Sequence, residues 1–71
     1  MIIYSDIFNK YLTKLELGKE WKLGQIFKAL ENNKEDIDIS FLFLYIQTDK
    51  RFKTTIISQS IEDMIVVRIS L

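Results

Sequence analysis

Residues 41–46 read Phe41-Leu42-Phe43-Leu44-Tyr45-Ile46, six apolar side chains in succession. The surrounding second half is rich in Ile, Val, Phe, Thr and Ser, residue types that favour extended backbone. Read as a strand, the run alternates between faces, with Phe41, Phe43 and Tyr45 on one and Leu42, Leu44 and Ile46 on the other. Neither face suits water, so both sides of the sheet need cover. In a chain of 71 residues, part of that cover is expected from a second molecule.

Upstream of the run, Ile37 and Ile39 alternate with Asp38 and Ser40, which extends the predicted strand back to residue 37 and on to about Thr48. Asp49-Lys50 makes a turn, although it lacks the glycine of the strongest hairpin signal. A second strand is expected from Phe52 to Ser58. After the connection Gln59-Ser60-Ile61-Glu62, a third runs from Met64 to Leu71. Alternation sets Ile65, Val67, Ile69 and Leu71 on one face of that strand and Met64, Val66, Arg68 and Ser70 on the other.

The first half has helical spacing. Ser5 or Asp6 is a natural N-cap, because its side-chain oxygen accepts from an unpaired N–H of the first turn. Ile7, Phe8, Tyr11, Leu12 and Leu15 then fall on one stripe of a helix over about residues 6–16, and Gly18 is placed to end it in the left-handed region. In a second helix, opened by Trp21, Leu23, Ile26, Phe27 and Leu30 recur at i, i+3, i+4 and i+7. Lys22, Gln25, Lys28 and Glu31 face outward. Gly24 either permits close helix approach or marks a later start, and Asn32-Asn33 is a stop signal. Residues Ile2 to Tyr4 could add a short fourth strand.

The expectation is one small α+β domain over 1–71, with two N-terminal helices packed on a three-stranded antiparallel meander in the order α-α-β-β-β. The change near residue 36 from Lys, Leu and Glu to strand formers separates two layers of one domain.

Composition narrows the chemistry. Histidine and cysteine are both absent, which removes disulfides, thiolate metal sites, the cysteine nucleophile and the commonest general base. There is no phosphate-cradling glycine loop, nucleophile elbow or metal-ligand spacing. No catalytic, cofactor or metal residue is assigned and no enzyme is expected. The group Glu35, Asp36 and Asp38, with Glu62 and Asp63, reads as charge flanking sticky strands, not as a cation site. Met1-Ile2-Ile3-Tyr4-Ser5-Asp6 lacks the basic and long apolar regions of a secretion signal, and no run approaches the ~20 residues of a membrane helix. A soluble cytoplasmic protein with no membrane partner and no small-molecule substrate is expected.

Ten basic residues balance ten acidic ones, so whole-chain charge selects no partner. Locally, Lys50, Arg51 and Lys53 with Phe52 between them form a basic, aromatic hairpin tip, a candidate nucleic-acid contact with cations for phosphate and a ring for stacking. The second helix, with Lys22, Gln25 and Lys28, is a weaker candidate of the same class.

The larger signal is the surplus apolar surface. Two helices joined by the short Gly18-Lys19-Glu20 link lie side by side more readily than astride a sheet, so they cover one face. Leu42, Leu44 and Ile46, joined by Met64 and Val66, then remain as an interface, with Trp21 a further anchor. The function expected is non-catalytic protein binding through an apolar sheet face or edge strand, to itself as a homodimer or to another protein. Small domains of this size serve as regulators or inhibitors of larger proteins, including those of phages and mobile elements. The alternative is a small nucleic-acid-binding regulator.

Overall fold

In the computed structural model, which describes residues 4–32 and 37–69, the apolar run at 41–46 is helical. The order is α1 (Tyr4–Leu12), β1 (Glu20–Lys22), α2 (Leu23–Asn32), α3 (Ile39–Thr48), β2 (Phe52–Thr55), a 3-10 turn (Ile61–Asp63) and β3 (Ile65–Arg68). Among the described residues, three helices and a three-stranded antiparallel sheet make an α+β fold. The α-α-β-β-β order is corrected at two places, α3 and β1.

The strand expected at 37–48 is α3. Asp38 caps it, its Oδ1 accepting the Ser40 N–H at 2.8 Å. Ile39, Leu42, Phe43 and Ile46 stand at i, i+3, i+4 and i+7, a helical stripe that directs Leu42 and Ile46 into the core. Phe41 and Leu44 face outward at 50% and 57% exposure. A run in which every position is apolar satisfies both the strand and the helix period. The N-cap and the ten-residue length of the element select the helix.

The second correction is β1. Glu20–Lys22, expected as a link leading into a helix opened by Trp21, pairs with β3 in the register Glu20↔Val67, Trp21↔Val66 and Lys22↔Ile65. The strand passes into α2 without a loop. Gln25 Oε1 accepts the Lys22 N–H at 2.9 Å, which caps the first turn, and Leu23 N–H still bonds Met64 O at 2.9 Å. β3 therefore sits between the other strands in the order β1-β3-β2, so it has no free edge for strand addition.

Several local expectations hold. Phe8 and Leu12 of α1 and Leu23, Ile26 and Leu30 of α2 are buried, with Ile7, Tyr11, Leu15 and Phe27 packed against them. α1 ends at Leu12, earlier than expected. Gly18, at φ 78°, serves the turn into β1, where its N–H bonds Arg68 O at 2.9 Å, and does not cap the helix. Gly24 permits close approach, since a Cβ there would lie 3.4 Å from Glu62 on the 3-10 turn. Tyr4 begins α1, whereas Ile2, Ile3, Asn33 and the Lys34-Glu35-Asp36 loop lie outside the described residues.

One core joins all three helices to the sheet, uniting Phe8 and Leu12, the α2 stripe, Ile37, Leu42 and Ile46 with Phe52, Met64 and Val66. The helices thus share one sheet face. It is the face carrying Met64, Val66 and Arg68, the reverse of the expectation that left Met64 and Val66 on the uncovered face. Ile65 and Val67 point the other way and are half-buried.

Candidate functional site

The apolar surface expected on the sheet is used internally. Leu42, Ile46, Met64 and Val66 are each at most 1% exposed, so they form the core and present no interface. The reason is geometric. Once 39–48 is a helix, Leu42 and Ile46 lie one turn apart over the sheet, and the surplus face no longer exists. Leu44 alone of that set is exposed. Trp21, in the register of Val66, lies on the helix side and is half-buried.

The expected hairpin tip at 49–53 is instead the turn from α3 into β2, because residues 39–48 are helical, and packing changes its surface. Phe52 is 7% exposed within the core, so its ring offers no stacking surface. Arg51 folds back on Asp49, with Nη2 2.5 Å from Oδ2 and Nε 3.0 Å from Oδ1, and Nη2 also donates to Asn9 Oδ1 at 2.6 Å. Tyr45 Oη donates to the same Asn9 oxygen at 3.1 Å, and its ring lies 5.0 Å from that of Phe8. Arg51 and Asn9 thereby tie α1 to the end of α3. Lys50 and Lys53 remain as the exposed cations of the tip.

The Arg51 hydrogen bonds hold the Asp49 carboxyl below its ordinary value of 3.8, against a smaller upward push from burial. A lowered carboxyl pKa adds stability that is present above the unfolded value and lost as pH falls through the folded one. Thermal melts of the wild type should therefore lose stability as pH drops below about 4. Asp49→Asn should flatten part of that decline; an unchanged acid profile would mean that the pair contributes nothing.

The concave surface of interest lies where α1, β1 and α2 meet. Tyr11, Leu15, Trp21, Ile26 and Ala29 wall a groove of about 200 Å³ whose polar contributors are Lys14 and Gln25, with no carboxylate among the described residues of the lining. Ala29 opens it by being the small residue on its turn of α2. Lysines rim the rings: Lys10 Nζ and Lys14 Nζ each stand 5.7 Å from the Tyr11 centroid, and Lys19 Nζ stands 4.5 Å from that of Trp21. Such contacts hold a cation without neutralising it. Trp21 Nε1 is buried and, among the described residues, has no hydrogen-bond partner.

The sequence reading picked out Trp21 but not the groove. Tyr11, Leu15 and Ile26 were legible as core stripe, and Lys10 and Lys14 flank Tyr11 along α1. Only the β1 pairing turns Trp21 toward them.

A second depression, between the start of α2 and the 3-10 turn, is lined by Lys22, Gly24, Gln25, Lys28, Glu62 and Asp63. Lys22, now the last residue of β1, and Gln25 and Lys28 of α2, the set read as a nucleic-acid face, are exposed there beside two acids. Asp63 accepts from Ser58 Oγ at 3.1 Å and Asp38 caps α3, while Glu35 and Asp36 lie outside the described residues. Among the described residues no group of three or more potential metal ligands gathers, and no helix is long and apolar enough to cross a membrane.

Comparison with protein-family models, with curated proteins and with solved structures finds no match to this chain.

Proposed function

We propose that the protein is a non-catalytic binding module that receives an apolar side chain of a protein partner in the groove between α1, β1 and α2. The observation that carries this reading is the carbon-walled groove of Tyr11, Leu15, Trp21, Ile26 and Ala29 under a rim of lysines. Its size argues for a protein ligand. At about 200 Å³ it is smaller than the ~300–1,000 Å³ of sites that engulf small molecules, but it accepts one or two side chains of a docked segment. Aromatic walls also suit a binding hot spot, since they are already rigid and lose little entropy on contact.

The charge selects the partner's chemistry. Lys10, Lys14 and Lys19 stand around a lining that holds no carboxylate among the described residues, so an aromatic or aliphatic side chain flanked by Asp or Glu fits best. The absence of histidine and cysteine supports the non-catalytic part of the reading. Regulation or inhibition of a larger protein in the cytoplasm is the corresponding role.

The test is selection of a random peptide library on the wild type, with removal of peptides that also bind Ala29→Arg. Ala29 is exposed, so the larger side chain closes the groove without entering the core. Enriched peptides should carry an apolar residue flanked by acids. They should shift the emission of Trp21, the only tryptophan, in the wild type alone. Enrichment of sequences indifferent to Ala29→Arg, or none, would overturn the proposal.

A further inference from the structure

The sheet face turned away from the helices has a pattern that the groove does not explain. Along β3 it carries Ile65 and Val67, half-buried, and the alternation continues to Ile69, 57% exposed, whose N–H still bonds Arg51 O at 2.8 Å. The register places charged neighbours beside this row. Val67 lies between Glu20 on β1 and Lys53 on β2, and Ile65 lies between Lys22 and Thr55. All four neighbours are exposed.

We infer that this face pairs with a second copy of the same chain, sheet on sheet, about a two-fold axis. The charge pattern of this face complements itself under rotation. An axis between the sheets and parallel to β3 exchanges the β1 and β2 sides and keeps each row opposite its own copy. Glu20 then faces the partner's Lys53, and Lys53 faces the partner's Glu20. An axis running across the strands exchanges the two rows, and Glu20 then faces the partner's Lys22. In both arrangements the centre is Ile and Val against Ile and Val, and the charges at the rim are opposite. Stacked sheets stand about 10 Å apart, a gap that facing Glu and Lys side chains can span. Two-fold pairing of identical surfaces is also the commonest oligomer geometry.

The face is small. One strand of three residues and two of four, about 4.8 Å apart with about 3.3 Å per residue, make a patch of roughly 170 Å² in projection. A standard interface buries about 800 Å² per partner, so the pairing is reversible and concentration-dependent. Because its charges lie at the rim, it weakens with salt.

Sedimentation velocity of the full chain at low salt, from about 10 μM to about 1 mM, reads the association directly. If the axis crosses the strands, Glu20→Lys and Lys22→Glu, at exposed sites, should each weaken it about tenfold or more while circular dichroism stays unchanged; if it follows β3, Glu20→Lys and Lys53→Glu should do so. Combining them restores it to within about threefold if the axis follows β3. If the axis crosses the strands, Glu20→Lys with Lys22→Glu restores it instead. Three results would overturn the inference: a wild type monomeric to about 1 mM, single variants without effect, or neither charge-exchanged pair restoring association. Ala29→Arg should leave the dimer intact, so a failure of the groove reading does not touch this one. Loss of the dimer in Ala29→Arg would place self-association at the groove and exclude the sheet face.

Discussion

Leu42→Ala should lower stability by about 2–5 kcal/mol, the range for truncating a fully buried leucine. Leu44→Ala, two residues away, should stay within about 0.5 kcal/mol. At roughly 4–8 °C per kcal/mol for a domain of this size, the first should melt at least about 10 °C below the wild type and the second close to it. The pair is informative because a strand would place both residues on one face, with similar costs. A helix puts them about 200° apart, Leu42 inside at 0% exposure and Leu44 outside at 57%. Denaturant melts of the two variants decide between these backbones without any further structure. Equal losses would mean that residues 39–48 do not form α3.

Arg68→Met should cost about 1.5–3 kcal/mol, the range for hydrogen bonds from a charged donor. Arg68 lies on the helix side of β3 and sends Nη1 to two carbonyls past the end of α1, Thr13 O at 2.7 Å and Leu15 O at 2.9 Å. Those carbonyls have outrun the helical ladder, and a cation there also complements the negative end of the helix dipole. Methionine keeps most of the aliphatic stem and removes the donors, so the loss reports the hydrogen bonds. The accompanying signature is local: hydrogen exchange should accelerate first at Lys14, Leu15 and Gly18, whose amides close the turns between α1 and β1. Arg68→Lys should recover only part of the loss, since one ammonium does not reproduce the fork of a guanidinium. Unchanged exchange in that segment would mean that Arg68 does not anchor it.

The helical stripes of α1 and α2 were readable because polar and apolar residues alternate there with a period of 3.6. Ile7 to Leu12 and Leu23 to Leu30 admit no other period. The positions of β2 and β3 were readable for the same kind of reason, although each is shorter than the alternation suggested. At 41–46 no polar residue interrupts the run to mark a period. The discriminating signal was a single side chain outside it, Asp38, whose capping oxygen looked like one member of an alternating strand. Glu20-Trp21-Lys22 failed differently. Three residues carry no period, and β1 exists because β3 offers it an edge.

The candidate site follows the same division. Trp21 stood out as the lone tryptophan, but its neighbours in the groove come from α1, the turn after it and α2, and meet it only after β1 pairs with β3. Phe52 and Arg51 looked like an exposed tip because sequence shows charge and aromaticity, not direction. In the fold one turns into the core and the other onto Asp49 and Asn9.

By itself the sequence determined an α+β chain with two amphipathic helices ahead of two strands, and a chemistry without imidazole or thiol. Tertiary structure alone decided the state of residues 39–48, the face of β3 that meets the helices, and the opening beside Trp21. Local periodicity specifies an element only where polar and apolar positions differ. Where every position is apolar, or the element is three residues long, the free energy that chooses the conformation comes from the surface it meets.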